Sequence, residues 1–104
     1  MLFNSVSEIK NDILDKISNY LMECVQTNTP IDRKNILSLI RTYFHELEIR
    51  NIIYLHDVEI SGNEIHMNFY FDQQEVSFSV DLFNHVRKMK IDKIYKNIIE
   101  NFLV

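Results

Sequence analysis

Alanine is missing from this 104-residue chain, glycine and proline occur once each, and there is a single cysteine. One glycine and one proline leave no room for a flexible linker, a disordered tail or a glycine-rich phosphate loop. Cys24 alone allows no internal disulfide, so the chain needs no oxidising compartment. No apolar run reaches about 18 residues, and residues 1–3 are too short and uncharged for a signal peptide. The expectation is a cytoplasmic protein at synthesis, without a membrane segment. Alanine is the best helix former, so its absence brings no structural gain. An AT-rich genome accounts for it, because Ile and Asn, abundant in this chain, have AT-rich codons and Ala does not. That points to a phage, a virus or a low-GC bacterium.

What is present suits one globular domain over residues 1–104: 46% hydrophobic and 25% charged residues can form a real but modest core. The net charge of −4 is unevenly spread. Residues 1–86 hold 6 basic and 13 acidic residues, a net of −7, whereas residues 87–104 hold 5 basic and 2 acidic, a net of +3. The body repels nucleic acid, and only the C-terminal segment could attract it.

Residues 52–82 carry the clearest pattern, three short strands joined by tight turns. Strand one spans Ile52–Ile60, strand two Ile65–Asp72 and strand three Glu75–Leu82. Ile65, Met67, Phe69 and Phe71 share one face of strand two, and Val76, Phe78, Val80 and Leu82 one face of strand three. One apolar and one polar face mark an antiparallel sheet. Gly62-Asn63 supplies hairpin chemistry. Gln73-Gln74 is a poorer turn pair, so the connection is expected to include Asp72 and Glu75. Two helices precede the sheet. The first runs from Val6 to Gln26, with Ser5 and Glu8 as a capping box and an apolar stripe of Val6, Ile9, Ile13, Ile17, Tyr20, Leu21 and Cys24. The second is expected over Pro30–Glu48, capped by Thr29, with Ile36, Leu37, Ile40, Tyr43, Phe44 and Leu47 inward. A last helical stretch covers Phe83–Leu103 and slips phase near Met89-Lys90, where Asp92 would cap a second segment. The fold class is α+β in the order ααβββα, a three-stranded antiparallel meander with helices on one face.

Chemistry is hard to assemble from these residues. His45, His56, His66 and His85 are dispersed, with no metal-ligand spacing, so neither a metal nor a cofactor is expected. A hairpin centred on Gly62-Asn63 pairs Ile60 with Ile65, Val58 with Met67 and His56 with Phe69, so His56 and His66 are not opposed. His56 and Asp57 point to opposite faces of a regular strand. Ser61 lacks the G-x-S-x-G context of a nucleophile elbow. Asp57 and Glu59 fall on the wet side, and Cys24 on an apolar stripe reads as a small buried hydrophobe. With no general base, nucleophile or cofactor loop, the chain does not read as an enzyme.

Two C-terminal features remain. The run RKMKIDKIYK is the one basic cluster, suited to phosphate or an acidic protein surface, or simply a solvated helix face. After it, NIIENFLV spreads Ile98, Ile99, Phe102 and Leu103 over a broad sector of helix. A small monomer need not cover all of that sector. The interface expectation is therefore Ile98, Ile99, Phe102 and Leu103, with Lys88, Lys90 and Lys93 at its rim. The alternative is that these apolar groups pack on the sheet.

The order helix, strand, turn, strand and strand from Thr29 to Leu82, with Val58-Glu59-Ile60 and Ile65-His66-Met67-Asn68-Phe69-Tyr70-Phe71, resembles the C-terminal part of small baseplate-wedge proteins of contractile-tailed phages. It is similar too to the closing domain of phage tail-sheath proteins. Glu46-Leu47-Glu48 stands where the wedge family has Glu-Pro-Arg, so no functional residue is carried over. The resemblance implies a structural role without a catalytic site. The leading expectation is a non-enzymatic phage or viral protein that binds other protein subunits as a homo- or hetero-oligomer, as a component of tail, baseplate or neck. Two alternatives stay open: a small phage inhibitor whose acidic body mimics phosphate charge, and a nucleic-acid module using residues 87–96.

Overall fold

The computed structural model describes residues 5–48 and 53–103. They form α1 (Val6–Gln26), α2 (Arg33–Glu48), β1 (Ile53–Ser61), β2 (Glu64–Phe71), β3 (Gln74–Asp81), α3 (Leu82–Met89), α4 (Asp92–Asn97) and a π-helical turn (Ile98–Phe102). This is the expected α+β order, with helices packing against the sheet and the last helical stretch divided. The expected first strand residue, Ile52, lies outside the described residues. No helix among the described residues is long and apolar enough to cross a membrane.

α1 begins as its capping box requires, with the Glu8 amide donating to Ser5 Oγ at 3.3 Å. Its buried stripe is Ile9, Ile13, Ile17, Leu21 and Cys24. The helix closes through Asn28 in the left-handed region (φ 54) and a bond from the Thr29 amide to Cys24 O at 2.8 Å. α2 starts three residues later than expected. Thr29 is not its cap and Pro30 is not its first residue; Asp32 Oδ1 instead accepts from the Lys34 amide at 2.7 Å. Tertiary contacts override the local signal at this point. Ile31 is drawn into the core, its amide donates to Asn97 Oδ1 at 2.9 Å, and Asn97 Nδ2 donates to Thr29 O at 2.9 Å. The linker is tied to the C-terminal helix and cannot wind into α2.

The sheet order is β1-β2-β3, all antiparallel. Gly62 takes φ +61 at the first of the two turn positions, where no Cβ is tolerated without strain. The second hairpin turns on Asp72-Gln73 rather than Gln73-Gln74, with φ 50 and 67, since Phe71 pairs with Gln74. β1 pairs Ile60 with Ile65 and Val58 with Met67 as expected, but then slips: Asp57 faces Asn68 and Leu55 faces Phe69. His56 is the extra residue of a β-bulge and does not oppose Phe69. The cause lies in the sequence of β1. An unbroken register would turn His56 and Tyr54 inward and Leu55 and Ile53 outward; the inserted residue reverses both pairs. Ile53 is accordingly buried, Leu55 half-buried, and Tyr54 exposed.

Ile65, Met67 and Phe69 of β2 are fully covered, with the Phe44 ring of α2 meeting Phe69 at 5.1 Å. α2 lies on β1, while α1 packs between α2 and α4. One buried cluster takes in residues from all of these elements. Asp81 closes the sheet and opens α3 by accepting from the Asn84 amide at 3.1 Å and from Asn63 Nδ2 at 2.9 Å.

The two hairpin turns make opposite predictions. Gly62→Ala meets no atom within 4 Å and suffers only from its backbone angle, a loss of about 1 kcal/mol. Gln73→Gly relieves the same strain and creates an Asp-Gly turn, a gain of about 1 kcal/mol. Urea unfolding midpoints of the two variants should move to either side of the parent.

Candidate functional site

The C-terminal helical stretch is fixed before it is exposed. Lys90 ends α3 in the left-handed region (φ 58), and its amide bonds to Arg87 O at 3.2 Å. α4 then starts with Ile91 in the cap position. Asp92 does not cap it; it is the acidic residue of the first turn, where the helix dipole favours it. At the far end Arg33 Nε donates to Phe102 O at 3.0 Å, and its guanidinium lies 4.8 Å over the Phe102 ring. Asn97 and Asn101 add a second tie, Asn101 Nδ2 donating to Asn97 Oδ1 at 2.8 Å.

The π-helical turn then sets which side chains face out. Four residues of α-helix overshoot a full turn by about 40°, so a spacing of four drifts sideways. The wider turn, with the Leu103 amide bonded back to Ile98 O at 3.2 Å, cancels that drift. Ile94, Ile98 and Phe102 therefore stay in the core, at 0%, 0% and 1% exposure. Tyr95, Ile99 and Leu103 stay in solvent at 38%, 47% and 41%. Of the four apolar residues expected at an interface, Ile98 and Phe102 are thus core residues, and Ile99 and Leu103 are surface. Tyr95 joins them, and its ring meets half-buried Phe83 at 5.5 Å.

The basic residues do not form one patch. Arg87 and Lys90 flank a shallow depression of about 380 Å³ beside Tyr95 and Ile91. Lys93 and Lys96 line a different one of about 320 Å³ with Asn28, Asn97 and Asn101, and Lys96 approaches Glu100 at 3.9 Å. Lys88 stands near His85. Of the rim residues, only Lys90 borders the Tyr95 side.

Elsewhere, the sheet register creates two arrangements that sequence reading missed. Ser79 Oγ lies 2.8 Å from His66 Nδ1, and His66 Nε2 lies 3.1 Å from Glu64 Oε2. Serine, histidine and glutamate stand in line because His66 pairs with Ser79 across strands. Glu64 and Ser79 are exposed and His66 is half-buried, so the array sits on the open face of the sheet. The second arrangement is the polar face itself: β1, β2 and β3 expose Asp57, Glu59, Glu64, Glu75 and Asp81 and contain no lysine or arginine. The bulge also brings both His56 and Asp57 to the exposed side, and no hydrogen bond joins them among the described residues.

Among the described residues no cluster of three or more His, Cys, Asp or Glu side chains could hold a metal ion. Cys24 is a buried free thiol. Burial first, and then the nearby Asp12 carboxylate, push the Tyr43 phenol well above its ordinary range. Its hydroxyl is the one buried side-chain polar atom among the described residues with no partner in good hydrogen-bond geometry. Comparison by sequence and by fold finds no matching family model, no matching curated protein and no matching solved structure.

His85 is held by Ser18 Oγ at 2.7 Å from Nε2. Burial lowers its pKa, Lys88 lowers it further, and Asp15 partly offsets both. The unfolded chain therefore binds this proton more readily than the fold. The resulting stability is present above the ordinary histidine range, about pH 6.5, and is lost as pH falls from there towards the folded pKa. Thermal unfolding followed from about pH 7.5 down to about pH 5 should show a larger decline for the parent than for His85→Gln.

Proposed function

We propose that the protein works by contact with other proteins rather than by catalysis, as an assembly component of a phage or virus particle such as a tail, baseplate or neck. The observation that carries this reading is the alignment of Tyr95, Ile99 and Leu103 on a helix pinned at both ends. The large hydrophobic side chains exposed among the described residues are these three and Tyr54. Isolated exposed apolar groups are ordinary on any surface, whereas three in register on a rigid helix offer a contact line. Arg87 and Lys90 share the depression beside Tyr95 with one carboxylate, Asp92, and leave a net positive charge at its rim, which suits an acidic partner surface. The absence of alanine supports the phage or viral setting, and such a protein would be made in the cytoplasm and carried in the virion.

The test is the double variant Ile99→Glu/Leu103→Glu. Both side chains are already partly in water, so its melting temperature should stay near the parent's, while its incorporation into particles should fall at least about tenfold. Equal incorporation of parent and variant, or a chain that enters no particle, would sink the reading.

The acidic sheet face favours a second reading, a phage inhibitor that occupies the basic nucleic-acid site of a host protein. Binding would then weaken steeply with salt, and Glu59→Lys/Glu64→Lys would abolish it while Ile99→Glu would leave it intact. Salt-insensitive binding would exclude this reading.

A further inference from the structure

The two edges of the sheet are unequal. β1 is interrupted by the bulge at His56, which breaks its outward row of backbone groups. β3 pairs with β2 without a slip from Gln74 to Asp81 and has no strand on its other side among the described residues. It carries no proline, lysine or arginine, the residues that commonly blunt such an edge. The two-residue turn makes Phe71–Gln74 a hydrogen-bonded pair, and alternation along the ladder then fixes the rest. Val76, Phe78 and Val80 bond inward to β2. Glu75, Ser77 and Ser79 direct their N–H and C=O groups outward, away from the sheet.

The inner side of this edge is also thinly covered. Val80 is buried, but Val76 and Phe78 are only partly so. Lys10, reaching from α1 with its ammonium 5.2 Å from the Phe78 ring, is part of what shields it. α3 leaves the sheet from the end of β3, with its His85 bonded to Ser18 of α1, and Glu75, Ser77 and Ser79 are all exposed along the edge.

We infer that β3 pairs antiparallel with β3 of a second copy of this chain, joining the two sheets into one across a twofold axis at Ser77. The sequence of β3 is self-complementary in that register. Ser77 faces Ser77, Glu75 faces Ser79, and each outward residue meets another outward residue. On the inner face Val76 of one copy faces Phe78 of the other, so the half-covered apolar pair meets its own equivalent. The in-phase register one step along, centred on Phe78, sets Glu75 directly against Asp81 twice, and like charges directly opposed are destabilising. The same charges disfavour pairing with a foreign acidic strand. This interface is separate from the Tyr95–Ile99–Leu103 line and does not depend on the function assigned to it.

The experiment combines sedimentation velocity with residue-resolved hydrogen exchange on the full chain, from about 5 to 500 µM. The parent should convert from monomer to dimer, and the amides of Glu75, Ser77 and Ser79 should exchange at least about tenfold more slowly at the upper concentration. Ser77→Pro removes an outward N–H and leaves the β2–β3 ladder bonds in place, so it should remain monomeric. Ile99→Glu/Leu103→Glu should dimerise as the parent does. A parent that stays monomeric throughout overturns the inference. So does a dimer whose three outward amides exchange at the same rate at both concentrations, whether or not Ser77→Pro folds.

Discussion

The Phe44 and Phe69 rings meet at 5.1 Å where the helix layer rests on the central strand, and the placement of the other elements follows from that contact. Phe69 is flanked on its own face by Met67 and Ile65, all three without access to water. Burying a phenylalanine contributes roughly 1.5–3 kcal/mol, so a register that exposed this row would forfeit most of the sheet's reason to fold. Both neighbouring strands have to match the central one. β3 does so with simple alternation. β1 cannot, because its apolar residues change phase between Leu55 and Val58, and the chain resolves the conflict by expelling His56 as a bulge. The bulge is therefore a consequence of core packing. It also leaves the two edges of the sheet different, one interrupted and one open.

A similar compensation operates in the C-terminal helix. Ile94, Ile98 and Phe102 are spaced by four, which a straight α-helix would carry progressively off the core. The π-helical turn keeps them aligned, and Tyr95, Ile99 and Leu103, each one residue further on, are aligned by the same geometry on the exposed flank. Asn101 Nδ2 bonds Asn97 O, a carbonyl that a regular helix would bond through the Asn101 amide, and Arg33 satisfies Phe102 O at the helix end. The cost of that irregular turn is offset by side chains within the helix and by Arg33 reaching across from α2. The exposed line thus results from how the inner face was satisfied. Its rigidity lowers the entropy lost on docking a partner, which is where a pre-organised surface gains over a flexible tail.

Much of this was legible in the residues. Ser5 with Glu8, the stripe from Val6 to Cys24, Gly62-Asn63 and the alternation of β2 and β3 are local signals, and the fold follows them, with Val6 and Tyr20 only partly buried. The departures share one cause. Pro30 is a good first helical residue by local preference, yet Asn97, 66 residues from Ile31 along the chain, holds the linker out of α2. His56 looks like an ordinary strand position until the register on both sides is known. Ile98 and Ile99 are chemically identical, and only the phase of the π-helical turn makes one core and the other surface. The Glu64–His66–Ser79 line was invisible for the same reason, since it exists only through cross-strand pairing.

The charge distribution gives these surfaces their different characters. The polar side of the sheet gathers carboxylates without a lysine or arginine among its strands, whereas the basic residues after Val86 are dispersed around the C-terminal helices. A sheet face of one sign resists face-to-face stacking between copies, because like charges would be brought together in a poorly screened contact. It does not resist edge-to-edge pairing, in which both acidic faces remain in water side by side. The acidic face therefore blocks one mode of self-association and permits the other. The apolar line on the C-terminal helix, bordered by Arg87 and Lys90, is left free for a chemically different partner.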